Sequence, residues 1–147
     1  MVLILVQFLL LFLMLLAVFL GSGHRLLPAH PLWTLLGLLF VVVSGGLALA
    51  AFRSLGRSFR VAPAPKQEAT MVTQGIYGTL RHPMYTAIVS LAIGTFLLRS
   101  SWEVGVSAAA LVLFYLLKAR YEEKLLLEHY PEYGKYRNRT RGVIPFR

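Results

Sequence analysis

The chain contains no cysteine in its 147 residues. Disulfides, thiolate nucleophiles and thiolate metal sites are therefore excluded. Charge is scarce. Charged residues make up 14% of the chain and apolar residues 57%, far from the balance of a soluble domain. Two of the few histidines, His24 and His30, share a short polar turn with no further ligands nearby. Both are read as exposed loop residues, and no metal site is expected. No Lys or Arg precedes the first apolar run, which favours a retained helix over a cleaved signal peptide. No Gly-rich dinucleotide fingerprint follows a strand pattern anywhere.

The apolar residues come in blocks. Val2 to Leu20 has Gln7 as its one polar break and is about as long as one bilayer crossing. Pro28 and Pro31 break the following turn. Leu32 to Phe52 predicts a second crossing. Its small residues, Ser44/Ala48 and Gly46/Ala50, have the spacing that lets a neighbouring helix approach closely. Arg53, Arg57 and Arg60 predict a basic amphipathic turn on the membrane surface. Ala62-Pro63-Ala64-Pro65 forces an extended connection, which leaves residues 61–74 open as a linker or as a lid. Pro83 is suited to the first turn of a helix and starts a third apolar run that ends at Arg99. Ser100 followed by Glu103 matches a capping box, so the third and fourth helices are expected to form a tight antiparallel hairpin. The fourth has no breaker before Pro131 and runs for roughly 40 Å. Its last turns must therefore leave the hydrocarbon core. The expected fold is all-α: one integral-membrane domain, 1–147, with four transmembrane helices and a basic, aromatic C-terminal extension.

The net charge of +9 is explained by position rather than by nucleic acid, which is not expected as a partner. Five Lys/Arg lie between the second and third crossings, eight from Lys118 onward, and one in each opposite turn, Arg25 and Arg99. The positive-inside bias places both termini in the cytoplasm. It also puts Arg81-His82 and Glu122-Glu123 at one depth on one face. A cationic loop at a helix N-terminus suits a carboxylate or phosphate. The glutamates offer acceptors for hydroxyls or an ammonium group, and Tyr77 and Tyr85 offer flat apolar faces with hydroxyls. Together these suit a zwitterionic, adenosine-bearing ligand beside lipid. The plainer alternative is snorkelling cations paired with glutamates in an aromatic belt.

The segments Val72-Thr73-Gln74-Gly75-Ile76-Tyr77, Arg81-His82-Pro83-Met84-Tyr85, Glu122-Glu123-Lys124-Leu125-Leu126, Tyr133 to Tyr136 and Ile144-Pro145-Phe146 follow one another in that order. Over residues 68–147 the chain resembles the isoprenylcysteine carboxyl methyltransferase family and the related membrane phospholipid methyltransferases. The resemblance implies a membrane enzyme that uses S-adenosylmethionine without a Rossmann domain. Tyr77, His82, Pro83, Met84 and Tyr85 match cofactor-contacting positions, Glu122 matches the cofactor-binding glutamate, and Ala69 to Val72 falls in the covering segment. Arg81 joins His82 in the expected grip on the cofactor carboxylate. The catalytic candidates are Lys118, Arg120 and Glu123. Lys118 or Arg120 would face the acceptor, and Glu123 or His82 would take a proton from an amine. Ala87 stands where the family has glycine. Lys118 stands where the eukaryotic enzymes hold the substrate carboxylate with arginine, and lysine cannot clamp bidentately. The acceptor is thus a prenylcysteine-like carboxylate or a lipid head-group amine, entering from the membrane. A membrane NADPH-dependent reductase and a non-catalytic lipid-binding protein are the alternatives. The oligomeric state stays open.

Overall fold

The computed structural model describes residues 2–55 and 72–143. The surface turn through Arg57 and Arg60, the Ala62–Pro65 connection, most of the candidate lid and the Ile144-Pro145-Phe146 motif lie outside the described residues. Five helices follow in order: α1 (Val2–Leu20), α2 (Pro31–Leu55), α3 (Pro83–Arg99), α4 (Trp102–His129) and α5 (Tyr133–Arg139). A 3₁₀ turn covers Gly75–Gly78. Among the described residues there is no strand, only isolated bridges between Arg25 and Ser101 and between Leu80 and Arg141.

Helices α1, α2 and α4 are each long and apolar enough to cross a bilayer. α3, with 17 residues, extends about 25 Å and is short for a full span. The outward faces are apolar: Phe8, Leu9 and Phe12 on α1, and Leu35, Leu39 and Val42 on α2, are all exposed. Such a surface suits lipid rather than water. α1 packs on α4, α4 on α3, and α3 on α2, the last pair making the most extensive contact. The core lies between α1, α3 and α4, around Met14, Val89, Ala92, Leu111 and Tyr115.

The α2–α3 seam is built from small residues. On α2 the buried positions are Gly37, Ser44 and Ala51, seven apart, as a persistent helix–helix seam requires. A Cβ on Gly94 of α3 would lie 2.9 Å from the Gly37 carbonyl oxygen, so the backbones touch there. The Ser90 hydroxyl donates across the seam to the Phe40 carbonyl at 3.0 Å. This shifts the closest approach away from the expected one. Ser44 faces inward, whereas Gly45 and Gly46 are exposed, with no atom of the described structure near a built Cβ. Spacing alone does not say which face of α2 meets a neighbour.

The α3–α4 connection is two residues long, and its capping differs from expectation. Ser100 closes α3 in the left-handed region (φ 53°), its N–H on the Phe96 carbonyl. It is thus unable to cap α4. Ser101 does so, accepting from the Val104 N–H at 3.5 Å. Glu103 reaches instead to the α1–α2 loop and accepts from the Ser22 N–H at 2.8 Å and from its hydroxyl. Leu26 N–H donates to the Ser100 carbonyl. Both turns therefore meet at the same end of the bundle.

Candidate functional site

At the other end of the bundle the chain returns from α2 through the 3₁₀ turn. Gly75 has φ +61°, and a Cβ there would lie 2.3 Å from the Ser54 oxygen, so the position requires glycine. The Ile76 N–H donates to that Ser54 hydroxyl at 3.3 Å, tying the turn to the end of α2. The Tyr136 hydroxyl donates to the Tyr77 carbonyl at 2.6 Å, tying it to α5. Burial pushes both hydroxyls up to about 12, so each keeps its proton at neutral pH. Leu80 then bridges to Arg141: the Arg81 N–H donates to the Arg141 carbonyl at 2.8 Å, and the Arg141 N–H to the Thr79 carbonyl at 2.9 Å. His82 follows as the residue preceding Pro83, which is buried at the first position of α3. Its carbonyl accepts from the Tyr85 and Thr86 N–H groups, and its buried ring faces the α4 glutamates.

The two charged pairs, some forty residues apart in sequence, meet here. Glu123 accepts from Arg81 Nε at 2.8 Å, lies 3.2 Å from His82 Nε2, and faces Arg137 Nε at 3.4 Å. Glu122 accepts from the Tyr85 hydroxyl through both oxygens, at 2.6 and 2.8 Å, with His82 Nδ1 3.9 Å away. Adjacent residues on a helix point about 100° apart, which is why the two glutamates take different partners. Tyr85 is the hub. Its ring stacks on His82 at 5.3 Å, tilts against Tyr115 at 4.9 Å, and lies 5.1 Å from Lys118 Nζ.

Arg81 is used by the fold itself. Besides Glu123 it donates through Nη1 to the Arg137 carbonyl at 2.8 Å and to the Thr140 carbonyl. It thereby ties α5 and the tail to α4. Thr86 extends the same strap by donating to the Val143 carbonyl at 2.8 Å. Lys118 is buried and donates to Gln7 of α1 at 2.6 Å. Met84 is half-buried in the first turn of α3.

Beside this network lies a cleft of about 680 Å³. Its wall includes Arg81, Arg120, Glu123, Arg137 and Arg141, and its apolar side is Leu116, Ala119 and Val143. Arg120 is thus at the cleft, and Lys118 points into the bundle. Arg137, Asn138, Thr140 and Arg141 were not read as site residues from the sequence. Their signal was the basic, tyrosine-bearing tail after Pro131, which does not reveal that the tail folds back. Gln7, the lone polar residue of α1, was likewise read only as a break. The buried hydroxyls of Tyr115 and Tyr133 have no hydrogen-bond partner among the described residues. They flank the network on the core and α5 sides. Four guanidinium groups and the Glu123 carboxylate on the cleft wall, with Glu122, the His82 imidazole and the Tyr85 phenol in the adjoining network rather than on the wall, are a donor and acceptor set for a polar ligand with an adjoining apolar part.

Comparison with known proteins gives a consistent picture. The family described as phospholipid methyltransferase matches residues 32–133, beginning at α2, upstream of the motifs at 68–147. Human protein-S-isoprenylcysteine O-methyltransferase is 34% identical over 114 residues, covering 75% of this chain and 40% of that protein. The cobalt-zinc-cadmium resistance protein CzcN of Cupriavidus metallidurans is 30% identical over 116 residues, covering 78% of this chain and 50% of that protein. Arabidopsis thaliana protein-S-isoprenylcysteine O-methyltransferase B is 26% identical over 114 residues, covering 75% and 58%. The matched regions thus span only about half the length of these relatives.

Proposed function

The chain belongs to the phospholipid methyltransferase family, and from that premise we propose that it transfers the methyl group of S-adenosylmethionine to a lipophilic acceptor held in the membrane. The observation that carries this reading is the joining of Arg81, His82 and Tyr85 to Glu122 and Glu123 beside the cleft. The residues suit the cofactor. Glu122 offers a carboxylate to ribose hydroxyls or to the ammonium group, and Tyr77 and Tyr85 offer rings and hydroxyls that shape the pocket. Pro83 and Met84 form the first turn of α3 beneath them, and His82 with its cationic neighbours faces the carboxylate end. The cleft falls within the volume range of small-molecule sites.

When bound, the sulfonium supplies an electrophilic methyl group. The chain's own task is alignment and exclusion of water. Arg120, on the cleft wall, faces the acceptor. Lys118 takes that role only by leaving Gln7. A carboxylate acceptor, as on a prenylcysteine-like compound, needs no base. A head-group amine does, and Glu123 or His82 is placed to accept its proton.

The topology that accompanies this reading has four crossings, with α3 as the shortest, and with both termini and the site in the cytoplasm. The Lys/Arg asymmetry supports it, as does the meeting of the 21–30 loop with the α3–α4 turn at the end remote from the site. The test is calorimetric titration of the purified chain with S-adenosylhomocysteine. Wild type binds, and His82→Ala and Glu122→Ala each weaken binding by about tenfold or more, the cost of losing a charge-assisted contact. Unchanged affinity in both variants rejects the assignments.

A further inference from the structure

Four arginines line the cleft against one carboxylate, Glu123. They are not equivalent. The Arg81 side chain is 13% exposed and engages Glu123 and two main-chain carbonyls. Arg137 is the opposite case. Its side chain is 50% exposed, and its one side-chain contact among the described residues is Nε to Glu123 at 3.4 Å. That is long for a charge-assisted hydrogen bond. Glu123 already holds Arg81 and His82 at shorter range, so it does not depend on Arg137. The Arg137 main chain is meanwhile fixed, because its carbonyl accepts from Arg81. A half-exposed, loosely paired cation thus hangs from an anchored backbone at the cleft. Arg120 and Arg141 lie on the same wall, with no side-chain ion pair among the described residues. Among the described residues the excess of positive charge has no counterpart on the cleft wall, while Leu116, Ala119 and Val143 supply an apolar side.

We infer that Arg137, flanked by Arg120, forms an oxyanion subsite that takes a carboxylate or phosphate group of the ligand, with Glu123 as its resting partner. Arg81 is then the anchor of the subsite rather than its grip. The shared chemistry is an anionic oxygen pair facing a guanidinium fork. It has two sources, the carboxylate of the methyl donor or the head group of the acceptor, and the first of these rests on the methyl-donor reading above.

The full-length chain in nanodiscs is titrated with three probes. S-adenosylhomocysteine carries the carboxylate, 5′-methylthioadenosine lacks it, and dihexanoyl phosphatidic acid carries a phosphate head group. Arg137→Gln is compared with Arg139→Gln, which removes the same charge from the same helix at an exposed position off the cleft wall. If the donor's carboxylate sits on Arg137, Arg137→Gln weakens S-adenosylhomocysteine by about tenfold and leaves 5′-methylthioadenosine unchanged. If the acceptor's head group sits there, phosphatidic acid weakens instead and both nucleosides are spared. In either case Arg139→Gln leaves all three affinities unchanged, and Arg137→Lys keeps part of the effect. The inference is overturned if Arg137→Gln spares every probe, or if Arg139→Gln weakens binding equally. A wild type that binds neither nucleoside defeats the methyl-donor reading, and the phosphatidic acid arm then decides the subsite alone.

Discussion

Replacing Arg81 with methionine removes one guanidinium and strips three acceptors: Glu123 Oε1 and the carbonyls of Arg137 and Thr140. A net hydrogen bond to a charged group is worth about 1.5–3 kcal/mol, and breaking a buried ion pair costs about 3–5 kcal/mol. Glu123 keeps His82 and Arg137 after the change, and the two carbonyls regain some water. The lower end therefore applies, about 3 kcal/mol. For a chain of this size that is a fall in melting temperature of about 6–12 °C. The loss is local as well as global, because Arg81 is what fastens α5 and the tail to α4. Circular dichroism of the purified chain reads the first effect, and hydrogen exchange of residues 133–143 the second. Exchange is expected to accelerate throughout that segment, with the Arg141 amide most affected. Arg81→Lys keeps a charge beside Glu123 but lacks the fork that spans both carbonyls, and should fall between. A melting temperature within about 1 °C of wild type, with unchanged exchange at 133–143, would refute the assignment of Arg81 as an anchor.

Two further outcomes follow from the packing. Gln7→Leu leaves the buried Lys118 ammonium without its acceptor and should destabilise the bundle by about 3 kcal/mol. Combining it with Lys118→Met should recover most of that loss, so a double-mutant cycle showing simple additivity contradicts the pairing. Gly94→Ala puts a methyl group 2.9 Å from the Gly37 carbonyl and should cost about 1–3 kcal/mol by forcing α2 from α3, read as a lowered melting temperature. An unaltered melting temperature would place the closest helix contact elsewhere.

Much of the fold was legible because its signals are local. Apolar runs gave the helices, Pro83 gave the start of α3, and Pro131 gave the end of α4. The meeting of Arg81-His82 with Glu122-Glu123 was also legible, since the α3–α4 hairpin returns the chain to the end of the bundle where α3 began. What was hidden depends on contacts that no periodicity encodes. The pairing of Gln7 with Lys118 joins residues 111 apart, where Gln7 read as a lone polar break and Lys118 as a residue facing the acceptor. The choice of Ser101 over Ser100 as the cap follows from the left-handed backbone that Ser100 adopts in closing α3. The inward face of α2 falls on Gly37, Ser44 and Ala51, with Gly94 of α3 against Gly37, so of the two expected pairs only Ser44/Ala48 contributes a buried residue to it. The basic tail read as a basic, aromatic cytoplasmic extension. Its return over the site depends on main-chain hydrogen bonds to Arg81 and Thr79, which side-chain patterns do not show.

The central claim, that the carboxylates leaving α4 and the motif opening α3 together hold a methyl donor beside lipid, is tested most directly by methyl transfer itself. Membranes bearing the chain are incubated with S-adenosylmethionine labelled in its methyl group, and label is counted in the lipid-soluble fraction. Wild-type membranes should incorporate label above membranes lacking the chain, and Glu122→Gln should reduce incorporation by about tenfold or more. Equal incorporation by wild type, Glu122→Gln and membranes without the chain would contradict it.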